Sequence, residues 1–211
     1  MDRRFLLGVA IVAALLTAAG LVGLDRVLAE WLHSSSFEEA RFFSWGLIAL
    51  DTVTGMRVWI WLLGCVALAV GLVELWRRRA SRIGYAFVIA ALVQFATIAT
   101  MILGKDFFGR LRPHEVLASG DWSRLWFVGG GSFPSGHSAF YFGLMLPLAA
   151  ACPIRWARVL LIAVPLFVVL ARIDLAKHFV SDVSASALIA ALYALIAATL
   201  ARRWRAAPSS A

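Results

Sequence analysis

Three stretches of this 211-residue sequence together hold basic residues, glycines and histidines at short, fixed spacings. The first, residues 105–113, reads KDFFGRLRP, and the second, residues 129–137, reads GGGSFPSGH. The third, residues 171–182, reads ARIDLAKHFVSD. Permanent cations, glycines and imidazoles in such combinations are typical of sites that bind an anion and transfer a group from it.

Three cations are suited to holding a phosphate: Lys105, Arg112 and Arg172. An arginine presents a planar fork that matches phosphate oxygens, and a lysine adds a compact charge. Ser135 and Gly136 come directly before a predicted helix, and the free N–H groups at a helix N-terminus favour an anion. The sequence therefore predicts a phosphate site made of these five residues.

Two histidines, His137 and His178, supply a nucleophile and a proton donor for such a site. Asp182 follows His178 by four residues, so on a helix the two share a face, and the carboxylate fixes the imidazole tautomer and stabilises its charged form. This constellation indicates phosphoryl transfer through a phosphohistidine. Five neighbours are interpreted as surface or helper residues: Asp106, Arg110, His114, Asp174 and Lys177.

The composition indicates that a membrane positions these residues. Hydrophobic residues make up 62% of the chain, charged residues only 15%, and the mean hydropathy is +0.86. A soluble domain of this length needs a more charged surface. The net charge of +8 does not indicate a nucleic-acid partner, because the basic residues lie between apolar spans and form no basic arm. Cys65 and Cys152 fall in or beside apolar spans and predict neither a disulfide nor a metal site.

The predicted fold class is an all-α integral membrane protein with a single domain over residues 1–211. A spanning helix needs about 20 mostly apolar residues. The first span follows Arg3 and Arg4, and we interpret it as a retained helix rather than a cleaved signal. The six predicted spans are 5–24, 58–76, 83–103, 138–153, 155–171 and 183–201.

The distribution of charge predicts the orientation of these spans. With the N-terminus inside, the inner segments hold 11 basic and 2 acidic residues, whereas the outer segments hold 9 basic and 10 acidic residues. This bias predicts that both termini are cytoplasmic. The outer segments are then 25–57, interpreted as an amphipathic interfacial helix, together with 104–137 and 172–182. The three chemical stretches are therefore expected at the same face.

These motifs resemble those of the type 2 phosphatidic acid phosphatase (PAP2) superfamily. Its K-x6-R-P motif matches 105–113, its P-S-G-H motif matches 134–137, and its S-R-x5-H-x3-D motif matches 171–182. Ala171 stands where the family usually has serine, which removes one hydroxyl contact to phosphate and is expected to weaken binding modestly. The motifs cover about 78 residues, and the six-helix pattern extends the resemblance over nearly the whole chain.

The resemblance implies a role for each matched residue. His178 is expected to attack phosphorus, Asp182 to orient His178, and His137 to protonate the leaving oxygen and then activate water. No metal or other cofactor is implied. The residues expected to hold the phosphate are Lys105, Arg112, Ser135, Gly136 and Arg172.

The resemblance also implies an activity: metal-independent removal of phosphate from a membrane lipid at the periplasmic face of a bacterial inner membrane. The candidate substrates are lipid A, undecaprenyl diphosphate, phosphatidylglycerol phosphate and phosphatidic acid. One alternative is a phosphotransferase that passes the phosphoryl group to a second lipid. Others are a lipid-binding or transport protein without chemistry, and a hydrolase that uses a metal held by His137, His178 and Asp182.

Overall fold

The computed structural model describes residues 1–35 and 41–206, with side chains placed up to Arg202, and the described residues form helices without a strand. The first helix, α1 (Arg3–Ala19), continues into the second, α2 (Asp25–Ser34), through a π-helical turn at Gly20–Leu24. The helices in chain order are α1 (Arg3–Ala19), α2 (Asp25–Ser34), α3 (Arg41–Val53), α4 (Leu62–Arg77), α5 (Arg82–Phe108), α6 (Pro113–Ser119), α7 (Gly136–Ala151), α8 (Arg155–Asp174) and α9 (Val180–Ala206).

Local sequence signals set the ends of the helices that lead to the site. Ser81 caps α5 by accepting a hydrogen bond from the Gly84 N–H at 3.2 Å. At its other end α5 stops at Gly109, which adopts a left-handed conformation with φ of 48° and donates its N–H to the Lys105 carbonyl. This turn leads the chain away from α5, so Arg110 points back into the protein, where it is 1% exposed.

Each of the six predicted spans falls on a helix, and several are long enough to cross a membrane. Both α4 and α7 have 16 residues, or about 24 Å, which is short of a hydrocarbon core of about 30 Å. The six-span count and the cytoplasmic placement of both termini therefore stay predictions. The described segments that are long and apolar enough to span are Arg3–Ser34, Arg82–Ser119, Arg155–Asp174 and Val180–Arg202.

Helix α7 lies at the centre of the fold, where α5, α8 and α9 pack around it. Small residues let the backbones approach: a Cβ on Gly143 would lie only 2.9 Å from the Gln94 Cα. Gln94 is fully buried and donates its side-chain amide to the Phe140 carbonyl at 2.9 Å. This polar residue of α5 therefore faces α7.

The outer segment 25–57 forms α2 and α3 rather than one interfacial helix, and residues 36–40 lie outside the described residues. Two carboxylates of this segment, Asp25 and Asp51, are 5% and 4% exposed. Burying an acidic side chain is costly unless it is paired, so each of these carboxylates must have a partner inside the protein. The segment therefore contributes side chains to the interior of the protein.

Arg110 joins the start of α2 to the start of α9 through a buried ion cluster. One of its terminal nitrogens donates to Asp25 Oδ2 at 2.8 Å, and the other donates to Asp182 Oδ1 at 2.5 Å. Ser181 also accepts from Arg110 and donates to Asp25 through both its N–H and its hydroxyl. Of the two roles that the sequence offered for Arg110, surface residue or helper, the first is wrong, because Arg110 is buried and its charge is balanced by two carboxylates inside the protein.

Two aromatic rings enclose the guanidinium of Arg110. Its central carbon lies 4.4 Å from the Trp126 ring centroid and 4.2 Å from that of Phe179. Stacking on aromatic faces suits a planar, weakly hydrated cation better than it suits an ammonium. The rings exclude water from the cluster and so strengthen its ion pairs.

We expect Arg110→Met to destabilise the protein by about 3 to 5 kcal/mol, because it leaves two buried carboxylates unpaired. The free energy of unfolding, measured by titration with a denaturing detergent, checks this. Arg26→Met is the matched control: Arg26 pairs with Glu30 at the surface, and its loss should cost about 1 kcal/mol or less. Equal effects of the two substitutions would contradict the stabilising role of the cluster.

Candidate active site

The three chemical stretches meet at one end of the helix bundle, as the sequence predicts. The Lys105 ammonium at the end of α5 donates to the Gly131 carbonyl at 2.8 Å, which joins the first stretch to the second. The Ser135 N–H donates to the Asp182 carbonyl at 3.0 Å, which joins the second stretch to the third. These contacts fix the N-terminus of α7 between the ends of α5 and α8 and the beginning of α9.

His178 lies in the turn that precedes α9, so it does not share a helix with Asp182 as the sequence suggests. Its Nδ1 is nevertheless 3.5 Å from Asp182 Oδ2, because Asp182 in the first turn of α9 reaches back towards this turn. The Phe179 N–H donates to the same oxygen at 2.8 Å, and the Ser132 hydroxyl donates to it at 2.5 Å. Asp182 therefore holds the backbone next to His178 as well as facing its ring.

The protonation state of His178 follows from its surroundings. Burial lowers the pKa of His178 from its ordinary value of 6.5 to about 4, although Asp182 opposes the shift. The imidazole is therefore neutral at neutral pH. Within the described residues, Nδ1 has no partner at hydrogen-bond distance. Because the ionised carboxylate 3.5 Å away only accepts hydrogen bonds, it favours the tautomer with the proton on Nδ1. The lone pair is then on Nε2, which is the arrangement that a nucleophilic imidazole needs.

The three predicted phosphate-binding cations come together and repel one another electrostatically. Among the described residues, none of Lys105, Arg112 and Arg172 forms an ion pair. In the same part of the chain the buried Nε of Arg172 has no hydrogen-bond partner. A cluster of unpaired cations is unfavourable alone, so an anion bound among them would relieve the repulsion.

Ser135 and Gly136 stand at the N-terminus of α7, as predicted. Ser135 is fully buried and caps the helix, with its hydroxyl oxygen 3.5 Å from the Ser138 N–H. A Cβ on Gly136 would lie 3.9 Å from the Lys105 ammonium. The positive end of α7 and the Lys105 side chain therefore face the same space.

His137 pairs with a residue that the sequence interpretation did not include. Its Nε2 lies 3.0 Å from Asp51 Oδ2, and the Tyr141 hydroxyl donates to Asp51 Oδ1 at 2.9 Å. The sequence did contain a sign that Asp51 is important. It lies within the apolar stretch LIALDTV, and an ionisable residue in such a stretch is usually functional. Asp25 carried the same kind of signal, at the end of the first apolar span.

A cavity of about 360 Å³ opens beside His137. It mixes the charged groups Asp51, Arg57 and Arg172 with apolar side chains, as a site for an amphiphile would. Its remaining lining residues are Ser44, Leu47, Ile48, Met56 and Leu175.

The structure also locates two other neighbours of the motifs, Asp106 and His114. Asp106 is exposed on α5, and His114 Nδ1 lies 3.0 Å from the Ala176 carbonyl, where it ties α6 to the turn after α8. Ala171 is fully buried in the apolar cluster that contains Phe140 and Val168. Within the described residues no three His, Cys, Asp or Glu side chains come together as a metal site would require.

Comparison with known proteins gives one family. The family model of the PAP2 superfamily matches residues 82–206, more than half of the chain, and includes all three chemical stretches. No curated protein and no solved structure matches the sequence. The matched range contains α5 to α9, whereas Asp25 and Asp51 precede it. From the family match, the chain belongs to the PAP2 superfamily.

Proposed function

We propose that this protein is a membrane phosphatase that hydrolyses a lipid phosphate through a phosphoryl group carried on His178. PAP2 membership indicates a phosphatase-type activity, and the apolar helices indicate a membrane protein. The observation that carries the finer proposal is the buried, neutral His178 held beside Asp182. Close to it are three cations that form no ion pair within the described part of the chain.

In the first half of the reaction, the lone pair on His178 Nε2 attacks phosphorus and the bond from phosphorus to the lipid oxygen breaks. The ring becomes cationic as the P–N bond forms, and Asp182 stabilises that charge through Nδ1–H. His137 gives a proton to the departing lipid oxygen, so the lipid leaves as an alcohol, or as a monophosphate if the substrate is a diphosphate.

In the second half, water attacks the phosphorus of the phosphohistidine. His137, having lost its proton, takes one from the water, and the P–N electron pair returns to His178 Nε2. Inorganic phosphate leaves and both histidines regain their starting states. The net reaction is one phosphate ester plus water giving one alcohol and one phosphate, with no oxidant, reductant or added group.

Electrostatic stabilisation is assigned to the cations and to the N-terminus of α7. Negative charge accumulates on the equatorial oxygens of the phosphoryl group during transfer, so fixed positive groups lower the barrier. Arg112 and Arg172 supply forked donors, and Lys105 supplies a point charge. The free N–H groups near Ser135 and Gly136 add donors that need no reorganisation.

Two features support a lipid as the substrate. The site lies at one end of a bundle of apolar helices, and the cavity beside His137 continues from Arg172 to apolar side chains of α3, including Leu47 and Ile48. We propose that the site faces the periplasm across a bacterial inner membrane, where lipid A and undecaprenyl diphosphate both present phosphate. Phosphatidylglycerol phosphate and phosphatidic acid are the further candidates.

We expect purified protein in detergent to release phosphate from at least one of these four lipids, with a metal chelator present. His178→Ala should abolish release because it removes the nucleophile, while leaving the fold intact. His33→Ala, which changes an exposed histidine of α2, is the matched control and should keep wild-type activity. Measuring phosphate release lipid by lipid ranks the substrates.

Three results would contradict the proposal in different ways. Unchanged release by His178→Ala would overturn the phosphohistidine, and loss of release in chelator would favour a metal-dependent hydrolase. No release from any lipid would favour transfer between lipids or binding without chemistry. Adding an acceptor lipid then separates these last two, because only a phosphotransferase would move the phosphoryl group.

We expect Arg172→Lys to raise KM about tenfold and to lower kcat, because a forked contact with two phosphate oxygens becomes a point charge. Steady-state kinetics with the preferred lipid checks this. Arg155→Lys, at the other end of α8 and exposed, is the matched control. Wild-type KM and kcat for Arg172→Lys would contradict the role of Arg172 in holding phosphate.

A further inference from the structure

Asp51 is a buried carboxylate that reaches His137 from a part of the chain outside the family match. It lies on α3, 86 residues before His137, and is 4% exposed. Its Oδ2 is 3.0 Å from His137 Nε2, within hydrogen-bond distance. Burying an acidic side chain is costly unless it is paired, so the contact accounts for the placement of Asp51 inside the protein.

Both oxygens of Asp51 have partners, which fixes the orientation of the carboxylate. The Tyr141 hydroxyl donates to Oδ1 at 2.9 Å, and the Thr54 hydroxyl lies 3.0 Å from the Tyr141 oxygen. Burial alone would raise the pKa of Asp51, but the contacts with His137 and Tyr141 and the charge of Arg172 together hold it below its usual value. Asp51 is therefore ionised and accepts hydrogen bonds with both oxygens.

We propose, building on the phosphatase function above, that Asp51 is a positioning residue that fixes His137 so that its Nδ1 exchanges protons with the substrate. An ionised carboxylate at Nε2 requires a proton there, which leaves Nδ1 as the nitrogen free to act. As a general acid, His137 releases the Nδ1 proton to the leaving oxygen. As a general base, it takes a proton from water at the same nitrogen.

Asp51 also supplies the negative charge that a cationic His137 requires. Burial lowers the pKa of His137 below its ordinary value, and the charges of Arg172 on α8 and Lys105 on α5 lower it further. Arg57 lines the same cavity. Tyr141, from α7 itself, is neutral and faces Asp51. A carboxylate in contact with the ring favours its charged form, so Asp51 opposes the effects of burial and of these cations and favours the protonated ring that the leaving oxygen needs.

Each histidine has its own carboxylate, and the two histidines face these carboxylates through different ring nitrogens. His178 faces Asp182 through Nδ1, and His137 faces Asp51 through Nε2. The free nitrogens are therefore Nε2 of the nucleophile and Nδ1 of the acid. Helix α3, which the sequence interpretation assigned to the membrane interface, thereby contributes to the chemistry.

The test is Asp51→Asn, measured as kcat, KM and their pH dependence with the preferred lipid. Asparagine keeps the shape but turns an N–H towards Nε2, so the neutral ring then carries its proton on Nδ1, and the cationic form loses its counter-charge. We expect kcat to fall about 100-fold, KM to change less than about threefold, and the alkaline limb of the pH profile to move to lower pH.

Two further variants separate this role from a structural one. Asp106→Asn removes an exposed acidic residue at the end of α5 and should keep wild-type kcat and pH profile. Tyr141→Phe removes one hydrogen bond to Asp51 and should lower kcat by only about threefold to tenfold. The free energy of unfolding of each variant shows whether a loss of activity comes from a loss of folded protein.

Each outcome decides the inference. A lower kcat with a displaced alkaline limb and a folded protein supports it. A wild-type kcat and profile would overturn it, and so would a loss of activity without displacement of the limb, which would make Asp51 structural only. Higher activity in Asp51→Asn would also overturn it, because Asp51 would then restrain His137 at rest. If the wild-type protein releases no phosphate, it is the proposed function that fails.

Discussion

The site depends on one buried cation, Arg110, which two carboxylates share. Asp25 comes from the start of α2 and Asp182 from the first turn of α9, so the guanidinium joins these two helices, which are far apart in the sequence. Asp182 in turn faces His178 and accepts the Phe179 N–H. A buried guanidinium with five fixed donors tolerates little displacement of its partners. The position of His178, the proposed nucleophile, is therefore set by an ion cluster that also holds the first helices in place.

In the site, the cations lie apart from the carboxylates. Lys105, Arg112 and Arg172 lie together without a carboxylate partner among the described residues, which suits an anionic substrate. The two carboxylates near the reaction centre instead face the histidines. If Asp51 or Asp182 paired with these cations, the phosphate would have to displace an existing ion pair. Under the proposed function, this arrangement leaves the cations available for the phosphate and places each carboxylate beside a histidine that must carry a proton or a positive charge.

The sequence predicted the helical membrane fold and the three stretches that meet, because both depend on local patterns. Long apolar runs indicate helices, and the spacing of Lys105, His137 and His178 within their motifs does not depend on distant residues. The sequence analysis did not include Asp25 and Asp51 among the site residues, because their partners lie far away in the sequence. Asp25 contacts a residue 85 positions later, and Asp51 contacts one 86 positions later. Sequence spacing also placed His178 and Asp182 on one helix, whereas α9 starts at Val180 and a turn brings the two together.

The most direct test of the account is to trap the phosphoryl group on the enzyme. Wild-type protein is mixed with the preferred lipid carrying a labelled phosphate and quenched during turnover under alkaline denaturing conditions, and the labelled peptide is then sequenced by mass spectrometry. The account predicts an acid-labile, alkali-stable phosphoryl group on His178 that His178→Ala cannot form. A label on another residue, or none while phosphate is being released, would contradict the phosphohistidine on which the mechanism depends.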